Sequence, residues 1–193
     1  MKNLISSVIA IVVITAVFGF AYPLAMTGFA QVAFKGQANG SLITVNGTVV
    51  GSKLAAQEFT GPKYFHERPS AVAYNAMGTS FANLGPTNPD LAKNVAAAAK
   101  AILALEGPYN PGLSIGDIPV DAVTTSASGI DPDISPAYAQ LQAHRIASVR
   151  GLSIETVQAL IKKHTVGRSW GFFGEPGVNV LELNLALDKG STT

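Results

Sequence analysis

The residues able to do chemistry are few and scattered. His66, His144 and His164 stand far apart, and there is no cysteine. That removes disulfides, thiolate catalysis and cysteine-based zinc sites. Neither HExxH nor GxxxxGK[ST] occurs, so the sequence encodes neither a helix-borne zinc pair nor the nest and lysine of a phosphate loop. His164 shares a helix face with Leu160 and Ile161, which favours a boundary histidine over a metal ligand. Ser126 and Ser128 flank a small turn after a β-prone run, a place where a hydrolase can hold its nucleophile. With no GxSxG and no base placed nearby, the pattern favours a tight turn whose hydroxyls satisfy backbone groups. Asp131 and Asp133 straddle Pro132 and suit a solvated turn better than a cation site, because no further ligands are evident. Gln142 lies on the stripe of Ala139, Ile146 and Val149. A glutamine there makes internal hydrogen bonds or, alternatively, meets a ligand. Ser126, Ser128 and Gln142 are therefore the candidate ligand-binding residues, and no catalytic residue or metal site is assigned.

A different kind of site is suggested by KYFHERPSA, residues 63–71. It places His66, Glu67 and Arg68 inside an aromatic loop. Tyr64, Phe65 and Arg68 are of the types that anchor interfaces, through rigid area and a planar donor fork. The competing reading is an internal salt bridge from Arg68 to Glu67 or Glu58.

These residues must be positioned by the elements around them. From Leu4 to Met26 there is no charge. As a helix this run covers about 35 Å, enough to cross a hydrocarbon core of about 30 Å. A cleaved signal would be shorter and end at a small-x-small site. Lys2 precedes the span and Lys35 follows it, which orients the N-terminus to the cytoplasm and the bulk of the chain outside. Ser6 and Ala10, and Thr15 and Gly19, are spaced to let a second helix approach, which makes Gly19 a candidate partner-binding residue. A hydrophobic share of 48% against a charged share of 13% agrees with membrane association. Net charge is +1, so nothing attracts nucleic acid.

Residues 1–35 are thus expected to be the anchor and 36–193 one mixed α+β extracytoplasmic domain. Asn46-Gly47 suits the type I′ turn of a hairpin over 41–50. Residues 57–88 read as a long loop. Asn88-Pro89 starts a helix with Leu91, Val95, Ala98, Ile102 and Leu105 on one face, ended by Gly107-Pro108. A strand is expected over 118–125. Ser135-Pro136 and Ser153 each start a helix, and Gly151 closes the first of these. Leu181, Leu183, Leu185 and Leu187 alternate as in a strand with one buried face.

At these segments the sequence resembles the Kdp C subunit family of potassium-transporting ATPases. The likeness runs through QANGSLI (37–43), VVGSKLAAQEFTGPKYFHERPSA (49–71), NLGPTNPDL (83–91), PVDAVTTSASGIDPDIS (119–135), QLQAHRIASVRGLS (140–153) and EPGVNVLELNLALDKG (175–190). It covers nearly the whole chain. One departure is Leu54-Ala55-Ala56-Gln57, where the family often carries a large apolar pair before the glutamine. The resemblance implies an accessory subunit of an ATP-driven potassium importer in the cell (inner) membrane. Its partners would be a potassium-channel-like Kdp A subunit, a P-type ATPase Kdp B subunit and membrane lipid. ATP, Mg and K would act at the level of the complex, with no cofactor bound by this chain. The resemblance also implies a catalytic chaperone that raises the nucleotide affinity of the ATPase subunit. This chain itself lacks DKTGT, the phosphorylation motif of such pumps. The rival classes are a membrane-tethered serine hydrolase using Ser126 or Ser128 and a tethered solute-binding module.

Overall fold

The structure is a computed structural model and describes residues 1–190; the last three positions of the expected 36–193 domain lie outside the described residues. The chain divides into two compact units between Val50 and Gly51.

The first unit is dominated by a continuous apolar helix, α1 (Lys2–Ala33), long and apolar enough to cross a membrane, with none of its spanning window buried within the chain. Its middle, Thr15–Ala21, is wound as a π-helix. The cause lies at Pro23, which lacks an N–H and whose ring would crowd the carbonyl four residues earlier. A widened turn just before the proline relieves that crowding. A hairpin follows, β1 (Leu42–Val45) and β2 (Thr48–Ser52), and Asn46 and Gly47 between them both have positive φ, as a type I′ turn requires.

The second unit is α+β. Its helices are α2 (Pro89–Glu106), α3 (Pro136–Arg150), α4 (Ile154–His164) and α5 (Val180–Gly190). Three starts are capped as their sequence predicts. Asn88, Ser135 and Ser153 accept from the backbone N–H of Asp90, Tyr138 and Thr156. Gly151 closes α3 in the left-handed conformation. A small antiparallel sheet has the order β3 (Asp133–Ile134), β5 (Gly177–Asn179), β4 (Thr165–Val166). Ile134 and Thr165 both stand opposite Val178. The core lies between α3, α4, α5 and this sheet, around Ala139, Ile146, Val157, Ile161, Val178 and Leu183.

Two expected strands are helical instead. Val120–Val123 is a single helical turn entered at Pro119. Asp121 leaves the β pattern to accept from the backbone N–H and hydroxyl of Ser135, at 2.7 and 2.9 Å, and Thr124 bonds back to the Val120 carbonyl. The alternating leucines form α5. Val180, Leu183, Asn184 and Leu187 are buried at helical spacing, and leucine suits a helix well. Asn179 accepts from the Glu182 N–H at the start of this helix. Its cap signal outranks the alternation.

Candidate functional site

The segment 62–66 enters the interior at Phe65 without pairing to any strand, while Pro62 and Lys63 stay exposed. Its backbone polar groups still need partners, and three buried side chains supply them. Arg145 on α3 is fully buried. One of its terminal nitrogens donates to the Pro62 carbonyl and, at 2.9 Å, to that of Tyr64. The other donates to Gln142 Oε1, and Nε donates to Glu106 Oε1 on α2, both at 2.8 Å. Gln142 grips both backbone groups of His66: Oε1 accepts from its N–H at 2.7 Å and Nε2 donates to its carbonyl at 3.1 Å. Asn184 on α5 holds Phe65 in the same way, at 2.8 and 3.0 Å. Side-chain amides thus act as strand edges on either side of the segment. Burial pushes the Glu106 carboxyl upward, against the pull of Arg145, and buried ion pairs of this kind require close partners.

Beyond this clamp the chain turns into a second polar knot. Arg68 reaches Asp131 Oδ2 at 3.0 Å, with the Thr124 carbonyl 3.5 Å away. Ser70 donates to the Gly129 carbonyl at 2.5 Å and accepts from the N–H groups of Val72 and Tyr74. Gly129 has φ +73°, and a Cβ there would lie 2.8 Å from the Ser80 carbonyl oxygen, so the turn admits glycine alone. Beside it Glu67 is buried, and neither carboxyl oxygen has a hydrogen-bond partner of normal geometry. Burial pushes its carboxyl up to about 9. The nearby Gln57 N–H opposes this, and the charges of Asp131 and Asp133 add to it. At neutral pH Glu67 therefore holds a proton.

The expected site residues separate on this framework. Phe65 is fully buried in the core, so in this conformation it packs the fold rather than a partner. Arg68 is engaged internally, with Asp131 and not with Glu67 or Glu58. Tyr64 is half-buried at the surface. Its hydroxyl donates to Asp188 at 3.2 Å, and its ring lies 5.1 Å from both the Arg150 guanidinium and the Lys63 ammonium. Arg150 also bonds the Lys63 carbonyl and Asp188. Gln142 is consumed by His66 and Arg145. Ser126 Oγ accepts from the Gly129 N–H and Ser128 Oγ from the Ile130 N–H. Among the described residues no histidine or carboxylate bonds either hydroxyl. Ser126 also lines an open cleft of about 410 Å³ whose walls include Phe81, Leu84, Leu91, Val95 and Val123. On α1, a Cβ at Gly19 would meet nothing nearer than Thr15 Cγ2 at 3.6 Å, which leaves that face open.

Sequence reasoning missed Arg145, Glu106 and Asn184. The signal existed in part. Arg145 follows Gln142 by three on an alanine-rich helix, and Glu106 follows Ile102 by four, so each sits on an apolar face.

The family described as "K+-transporting ATPase, c chain" matches residues 4–189. A potassium-transporting ATPase KdpC subunit of Koribacter versatilis is 49% identical over 97% of this chain and 94% of its own length. The protein of the same name from Variovorax paradoxus is 50% identical over 99% of this chain and 98% of its own. That from Burkholderia orbicola is also 50% identical, over 97% of each.

Proposed function

The chain belongs to the K+-transporting ATPase c chain family, and from that premise we propose how it serves potassium import. It is a membrane-associated accessory subunit. In our reading it joins a potassium-channel-like subunit and a P-type ATPase subunit in the inner membrane, with Lys2 cytoplasmic and the second unit outside. It raises the nucleotide affinity of the ATPase subunit without binding ATP, Mg or K itself. A domain on the far side of the membrane acts on cytoplasmic ATP only as a coupling free energy through the assembly.

The observation that carries the reading is α1. It is a helix with no residue of its spanning window buried in its own chain, on a chain matched over 4–189 to a transport ATPase subunit. Such a helix is complete only in lipid or against other helices, and its small residues at Thr15 and Gly19 suit close helix approach.

The test uses the tagged full chain. Mild detergent should release it together with two larger membrane proteins, and omitting the chain should raise the KM for ATP of the remaining ATPase. Recovery of the chain alone would contradict the reading. The chain has no cysteine, so Met77→Cys, at an exposed position, reports orientation. It should react with a membrane-impermeant maleimide in intact cells; reaction only after lysis would reverse the topology.

A further inference from the structure

Between β4 and β5 the chain folds back on itself as a tight hairpin. Ser169 and Phe173 exchange backbone hydrogen bonds, both at 2.9 Å. Trp170, Gly171 and Phe172 lie between them, and Trp170 and Gly171 have φ +55° and +83°. Glycine adopts this conformation freely, but a residue with a Cβ is strained there. The strained residue gains little burial in return. Trp170 is 88% exposed, Phe172 63% and Phe173 58%. The rings lean on one another, with centroids 4.2 Å apart for Phe172–Phe173 and 6.4 Å for Trp170–Phe173. Local strain retained at an exposed aromatic tip points to a contact made outside the chain.

Tryptophan and phenylalanine together suit the headgroup level of a bilayer, where an apolar ring body and an indole N–H both find partners. Tryptophan also anchors protein interfaces. Two observations favour lipid. The same chain carries a helix long and apolar enough to cross a membrane, and a chain so anchored meets the bilayer surface at high effective concentration. In addition, Lys162 and Lys163 end α4 close before the hairpin, a charge that complements anionic headgroups.

We propose that the hairpin 168–175 is a second membrane contact, with Trp170, Phe172 and Phe173 seated among the headgroups of a bilayer containing anionic phospholipid. The proposal rests on membrane attachment by α1, which co-elution of the chain with lipid nanodiscs checks separately. Trp170 is the one tryptophan of the chain, so its emission reports this contact without labelling. The full chain is placed in nanodiscs of phosphatidylcholine and phosphatidylglycerol, with and without bromine on the acyl chains. An interfacial indole should lose about half or more of its emission to brominated lipid and be shielded from aqueous iodide. Phe172→Ser combined with Phe173→Ser should cut that quenching by about half or more, since it removes most of the inserted apolar area. Emission quenched by iodide and unchanged by bromine would overturn the proposal. Shielding from both would also overturn it, because it would place a protein partner or a second copy on the hairpin. Full bromine quenching in the double variant would exclude insertion of the phenylalanines.

Discussion

Replacing Glu67 by glutamine should stabilise the protein above neutral pH, and by more as pH rises. Glu67 is 5% exposed, with no normal hydrogen bond to either carboxyl oxygen, and burial raises its carboxyl from the usual range near 4.5 to about 9. A carboxyl whose folded value lies above its unfolded value contributes most stability below the unfolded value and loses it as pH climbs through the folded one. Across that window the loss approaches about 1.4 kcal/mol per pH unit, so at pH 7 the acid costs about 3 kcal/mol relative to a side chain that is always neutral. Glutamine has nearly the same shape and is equally unpaired, so Glu67→Gln isolates the charge. The assay is thermal or urea unfolding of the full chain in mild detergent, followed by far-UV circular dichroism from pH 5 to 9. The variant should exceed wild type by about 1 kcal/mol near pH 5 and by progressively more as pH rises. Taking the difference between the two proteins cancels Glu106, whose carboxyl is also raised by burial, and His66, which burial holds below its usual value; Asp133, whose charge acts on Glu67, is part of the effect measured. Glu67→Leu serves as a second probe, since it removes the polar atoms as well. A difference that does not change with pH would refute a protonated Glu67, and so would a variant less stable than wild type at pH 8.

Arg145→Ala should cost about 3–5 kcal/mol, because it strands the Glu106 charge and releases the 62–66 backbone; near-normal unfolding in urea would show that the clamp is dispensable. Arg68→Ala removes a partly buried pair with Asp131, whose side chains are 23% and 33% exposed, and should cost only about 1 kcal/mol. Comparing its melting with its co-purification then tells whether 63–71 also contacts a partner, since assembly lost beyond that small destabilisation marks a contact. Gly19→Leu fills an open face of α1 and should weaken retention of partner subunits in detergent without changing the melting of the second unit. Unchanged co-purification would assign that face to lipid.

Much of this protein was legible in local chemistry. The anchor follows from a run without charge, because hydrocarbon tolerates nothing else over that length. The starts of α2, α3 and α4 follow from Asn88, Ser135 and Ser153, because a cap is satisfied by atoms two or three residues away. The hairpin turn at Asn46-Gly47 is local in the same sense. The surroundings of 63–71 were not legible. Type picks out Tyr64, Phe65 and Arg68, but type does not say that Phe65 points into the core or that Arg68 pairs with Asp131.

Long-range partners decided the rest. The leucines of 181–187 fit a strand period; the Asn179 cap starts a helix there instead, and Asn184 gripping Phe65, 119 residues away in sequence, fixes the face it buries. Val120–Val123 turned helical because Asp121 found Ser135. The Arg145–Glu106 pair joins α3 to α2 across 39 residues, and no spacing rule reaches that far. Glu67 reads in sequence as a salt-bridge partner for Arg68, yet its protonation depends on burial beside Asp131 and Asp133. Sequence determines what is settled within a helical turn or a bilayer's width. Tertiary structure decides which distant polar groups share a dry interior, where each must find a partner or give up its charge.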